Sequence, residues 1–201
     1  TMGLHDEVWE VELTPDRSDC LSHFGMAREI TRITNSGKPQ FPEHEIFTSK
    51  DSTDVMLMNV EVKEKKACPL YSGYLMDGID NSRTVPDWLK RRLKTVGAKS
   101  ISTIVDITNY VLFELGHPLH AFDADKIVGS RIIVRYARDG EKIKTLDGID
   151  RILSSEDLII ADLEKPLALA GVMGGFESGV TESTKRIFVE SYVFYQYSSS
   201  Q

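Results

Sequence analysis

The chain has 201 residues, 41% of them hydrophobic and 27% charged, which is enough apolar material for a core and too well mixed for disorder. Its net charge of −7 advertises no general grip on nucleic-acid phosphates. No apolar run approaches the roughly 20 residues that cross a bilayer, and the start of the chain is no basic segment leading into a long apolar one, so neither a membrane span nor a secretory signal is expected.

The first predicted element follows turn chemistry at Thr14–Pro15. Ser18 and Asp19 are its cap candidates, and Leu21, Phe24, Ala27 and Ile30 recur at helical spacing. Asn35-Ser36-Gly37 stops it. The polar, proline-bearing stretch "KPQFPEHEIFTSKDSTD" reads as a connector, dividing residues 1–45, a helical segment with its connector, from a core of residues 46–201. "VMLMNVEVKE" and "YSGYLMDGI" read as strands.

"VPDWLKRRLKTVGAKS" predicts a helix with Pro86 near its first turn, a stripe of Trp88, Leu89, Leu93 and Val96, and a stop at Gly97. Its basic run of Lys90, Arg91, Arg92, Lys94 and Lys99 is either a solvated helix face or a phosphate contact. "STIVDITNYVLFELG" predicts a second helix, capped by Ser102 and closed by Gly116. Beyond Gly129 the period changes to two: "RIIVRYA", "EKIKTLD" and "DRILS" read as strands, with Asp139-Gly140 and Asp147-Gly148 as hairpin turns. "DLIIAD", "PLALAGVMGG" and "RIFVESYVF" follow as strands. Helices early and strands late indicate an α+β fold.

Four features bear on chemistry. His117 and His120 flank Pro118; a metal would need a third ligand, yet no HExxH motif or cysteine accompanies them, so a packed loop competes with a site. Cys20 and Cys68 belong to no Cys-x-x-Cys pair and read as free thiols. "ALAGVMGGFESGV" is neither GxGxxG nor a P-loop; its glycines admit a neighbouring strand or a ligand. Glu190 interrupts an apolar strand, sharing a face with Phe188 and Tyr192. It either faces water or enters a cavity, where it needs a partner.

Five stretches in order, "ELTPDRSDCLSHFGMAREI", "IVDITNYVLFELGHPLHAFDADKI", "KTLDGIDRILSSEDLIIAD", "ALAGVMGGFESGV" and "FVESYVF", cover nearly the whole chain. Together they resemble the B3/B4 editing region of the β subunit of bacterial phenylalanyl-tRNA synthetase. The resemblance implies an α+β, B3/B4-type domain with helices packed on antiparallel-rich β-sheets. It implies a cytoplasmic α2β2 ligase that charges tRNA(Phe) at an ATP- and Mg2+-dependent site in the α subunit. This segment would bind the aminoacylated 3′ end of the tRNA, hydrolyse misattached tyrosine, and carry no cofactor of its own.

Carried over by position, His120, Thr108 and Asn109 are expected to position the reacting groups. Glu190, Gly174, Met173 and Pro118 are expected to hold the tyrosine moiety. His117 stands where the family commonly has Gln, which makes the histidine pair incidental and argues against a metal. The competing role is that of a non-catalytic scaffold contacting the α subunit.

Overall fold

The computed structural model describes residues 7–41, 43 and 57–194. Most of the connector, including the division at residue 45, lies outside them. Compactness groups the chain discontinuously. One unit combines residues 1–55 with 83–119, and the other combines residues 56–82 with 120–201.

In the first unit, Ser18–Cys20 forms one 3-10 turn and α1 spans His23–Thr34. The cap is Ser22, not the expected Ser18 or Asp19, which are spent on the preceding turn. Ser22 Oγ accepts from the Gly25 N–H at 3.0 Å, satisfying a donor that the helix start leaves open. Ser22→Ala is expected to cost about 0.5–2 kcal/mol, read as a fall in the chemical-denaturation midpoint. Gly25 is required because a Cβ there would lie 1.9 Å from the Asp19 carbonyl oxygen. The predicted apolar stripe is not a core: Leu21 and Ile30 are exposed.

α2, Asp87–Thr95, buries Leu89 and Leu93, and these join Val85, Tyr110 and Phe113 in one cluster. α3, Thr103–Leu115, contributes the last two. Gly116 ends α3 in the left-handed region at φ 80°, as its sequence position predicts. Ser102 occupies the N-cap position without making a side-chain cap. Buried Asp106 does the local work instead, accepting from the Ile101 N–H at 2.7 Å.

The second unit is built from β1 (Asn59–Val62), β2 (Leu70–Met76), β3 (His120–Asp123), β4 (Arg131–Tyr136), β5 (Lys142–Lys144), β6 (Asp150–Ile152), β7 (Leu158–Ala161), β8 (Pro166–Leu169), β9 (Met173–Gly174) and β10 (Ile187–Val193). One sheet runs β1-β4-β7-β8-β9, a second β2-β10-β3, and β5-β6 is a hairpin. Only the β1–β4 pairing among these is parallel. Phe122 and Phe188 of the three-stranded sheet pack with Ile132, Ile160, Leu167 and Ala168 of the five-stranded sheet, which makes the main core. The fold is therefore α+β with antiparallel-rich sheets.

Two strand expectations change. Asp147-Gly148 does close the β5–β6 hairpin, but β4 pairs with β1 and β7, so Asp139-Gly140 merely leads from one sheet to the next. "PLALAGVMGG" is two strands rather than one, because Gly171 at φ 71° turns the chain and Val172 N–H closes onto the Leu169 carbonyl. No helix among the described residues is long and apolar enough to cross a membrane.

Candidate functional site around Glu190

β10 is the middle strand of its sheet. Its Glu190 is paired in register with Gly73 of β2 on one side and His120 of β3 on the other. Cross-strand pairing of this kind holds the Cβ atoms of Glu190 and His120 about 4.5–5.5 Å apart. Glu190 is 1% exposed, so its carboxyl points inward rather than to water. Its partner is the Tyr71 hydroxyl, which donates to Oε2.

Burial dominates the electrostatics. It pushes the Glu190 carboxyl up to about 8, with the Tyr71 hydrogen bond opposing the rise. Tyr71 is itself pushed up by burial and by the adjacent carboxyl. Burial lowers the His120 imidazole to about 4, so the ring is neutral at neutral pH. Cys68 rises to about 11, first through burial and then through Glu190, which makes it an inert thiol.

His120 stands edge-on to Phe122 at 4.5 Å between ring centres. Its Nε2 is buried and has no hydrogen-bond partner among the described residues. The opposing wall is Gly174. A Cβ there would lie 2.5 Å from His120 Cε1, 2.8 Å from Nε2 and 3.1 Å from Leu146 Cδ1. The glycine-rich segment thus admits an imidazole against the backbone. Leu146 is half exposed and donates its N–H to the Gly174 carbonyl at 3.0 Å. Met173 precedes Gly174 on β9 and pairs with Leu169.

His120, Met173, Gly174 and Glu190 belong to the second unit, and Thr108, Asn109 and Pro118 to the first. Within α3 the Thr108 hydroxyl donates to the Val105 carbonyl at 3.0 Å, and Asn109 is half-buried. Pro118 and His117 are exposed. No group of three His, Cys, Asp or Glu side chains among the described residues could hold a metal ion. Clefts of about 370 and 880 Å³ also lie in the first unit, lined in part by His23, Thr95 and Val96. They lack the buried acid and the orphaned imidazole nitrogen seen around β10.

Sequence reading missed Tyr71. The alternation of "YSGYLMDGI" places Tyr71 and Gly73 on one face, but only the register with β10 reveals the acid beside them. The arrangement offers hydrogen-bonding groups for a polar aromatic ligand and an uncharged imidazole able to orient water or a hydroxyl. It offers no activated covalent nucleophile.

A family model described as "B3/4 domain" matches residues 67–200. The beta subunits of phenylalanine–tRNA ligase from Fusobacterium nucleatum and Hahella chejuensis are 44% and 46% identical over 193 and 194 residues, in each case 96% of this chain. The chain spans 24% of the length of each of these relatives. An N-terminal fragment of the phenylalanyl-tRNA synthetase beta-subunit from Pyrococcus horikoshii shares the fold, with a TM-score of 0.52 at 19% identity. That match covers 95% of this chain and 59% of the other. With well over half its length inside the family match, the chain belongs to the B3/4 domain family.

Proposed function

We propose that this chain is the editing module of a phenylalanyl-tRNA synthetase, hydrolysing tyrosine wrongly esterified to tRNA(Phe). The observation that carries the reading is the buried Glu190 carboxyl, already hydrogen-bonded to a phenol in a family whose relatives handle phenylalanine. Phenylalanine is smaller than tyrosine by one hydroxyl, so no steric limit admits the error and rejects the correct product. A buried polar group that demands a hydroxyl does reject it, because phenylalanine leaves that group unpaired. Glu190 supplies the demand within the second unit, which also holds His120, Met173 and Gly174.

The chemistry asks little more. Water adds to the ester carbonyl, the bond from carbonyl carbon to ribose oxygen breaks, and that oxygen takes up a proton. Tyrosine and free tRNA are the products. An ester is activated enough that positioning and proton handling suffice. Neutral His120 orients water or a ribose hydroxyl through Nε2. The α subunit, ATP and Mg2+ serve aminoacylation elsewhere in the whole enzyme.

The test is hydrolysis of Tyr-tRNA(Phe) and Phe-tRNA(Phe) by this chain and by the full-length protein. Clearance of the first and sparing of the second are expected from the full-length protein. Hydrolysis of neither would leave the scaffold role against the α subunit.

A further inference from the structure

Glu190 is not held by the residue directly opposite on β2, because that residue is Gly73. Gly73 brings no side chain to the acid, and the Phe188 ring takes up its place: a Cβ there would lie 2.0 Å from that ring. Tyr71, in register with Tyr192, reaches the acid along the diagonal instead. Diagonal neighbours on a sheet are about 7–8 Å apart, within the span of an aromatic side chain.

Tyr71 and Cys68 approach Glu190 from the β2 side, His120 from β3, and Tyr192 lies two residues along β10. None of these is cationic at neutral pH. No ion pair among the described residues therefore fixes the carboxyl, and the hydroxyl of Tyr71 does. A carboxyl whose Oε2 accepts that bond presents Oε1 to anything arriving from outside, and any proton it carries belongs on Oε1.

Resting on the reading of Glu190 given above, we infer that Tyr71 is a positioning residue for specificity. Its phenol ties down Oε2, so that Oε1 alone meets the substrate side chain and favours a hydroxyl-bearing aromatic ester over one without. Tyr71 acts through Glu190 and need not touch the substrate. The same hydrogen bond favours the carboxylate form, so losing it moves the ionisation of Glu190 to higher pH.

The experiment compares the full-length protein with its Tyr71→Phe, Glu190→Ala and doubly substituted forms. It reads the ratio of Tyr-tRNA(Phe) to Phe-tRNA(Phe) hydrolysis as a function of pH. Both substrates are measured on one sample, so a smaller folded fraction cancels from the ratio. Tyr71→Phe is expected to lower the ratio by on the order of tenfold and to shift its pH inflection upward. In the Glu190→Ala background the Tyr71 substitution is expected to change nothing further, the mark of action through one partner. If Glu190→Ala lowers the ratio while Tyr71→Phe leaves ratio and inflection unchanged, the positioning role is wrong and the Glu190 reading stands. A rise in the ratio with Tyr71→Phe also overturns it, showing that the phenol competes for the acid. If Glu190→Ala itself leaves the ratio intact, both readings fall.

Discussion

Gly174→Trp is expected to destabilise the second unit by about 1–3 kcal/mol or more, rather than merely close a ligand channel. The space that a side chain would enter is filled: the His120 ring and Leu146 lie within 3.1 Å of the Cβ position. Both are anchored, His120 by its strand pairing with β10 and Leu146 by its N–H bond to Gly174. An indole therefore has to displace a buried imidazole, and with it the ring nitrogen assigned to positioning water. A domain of this size loses about 2–4 °C of melting temperature for each kcal/mol. Thermal melting beside the hydrolysis assay checks this; a variant that melts like the parent but has lost hydrolysis would show that the glycine guards an opening.

The second large effect is on stability against pH. Burial raises the folded-state Glu190 value from 4.5 to about 8. An acid whose value is raised in the folded state contributes stability that is fully present below its unfolded value and is lost as pH climbs through the folded one. His120 has the opposite sign. Its value falls from 6.5 to about 4, so its contribution is present above 6.5 and is lost as the pH falls towards 4. The two windows overlap between 4.5 and 6.5, where the slopes oppose. From 6.5 to 8 Glu190 acts alone.

A tenfold change in an acid's ionisation constant corresponds to about 1.4 kcal/mol, so the Glu190 effect amounts to a few kcal/mol. Glu190→Gln keeps a side chain able to accept from Tyr71 but cannot ionise. The variant is therefore expected to gain on the parent steadily as pH rises through this window, measured as the difference between their unfolding free energies. Parallel pH profiles for the two proteins would mean that Glu190 ionises freely and is not desolvated in solution.

The elements were legible wherever the signal is local. α2 follows from its apolar stripe and the stop at Gly97, α3 is closed at Gly116 as expected, and the β5–β6 hairpin follows from Asp147-Gly148. Pairing over long distances was not legible. β10 lies between β2 and β3, strands drawn from distant parts of the sequence, and β1 runs parallel to β4. Nothing in a strand's own residues names such partners, and register alone decides which side chains meet.

That is why Glu190 could be noticed in the sequence without its burial being known, and why Tyr71 passed as an ordinary strand tyrosine. It is also why Gly73 and Gly25 drew no attention: each admits a group brought up by another segment, Phe188 in one case and the Asp19 carbonyl in the other. The nearness of His120 to Gly174 likewise depends on how β3 and β9 are placed, and the family resemblance, not the residue pattern, pointed to it.

The most direct test is hydrolysis of Tyr-tRNA(Phe) and Phe-tRNA(Phe) by the full-length protein with and without Glu190→Ala, beside a melting curve of each. Leaving the substrate hydroxyl buried and unpaired costs about 1–3 kcal/mol, so clearance of Tyr-tRNA(Phe) is expected to fall by roughly 5- to 150-fold. The preference over Phe-tRNA(Phe) is expected to narrow with it, in a protein that remains folded. A folded Glu190→Ala protein that clears Tyr-tRNA(Phe) at the parental rate and still spares Phe-tRNA(Phe) would contradict the assignment of Glu190 as the reader of the hydroxyl.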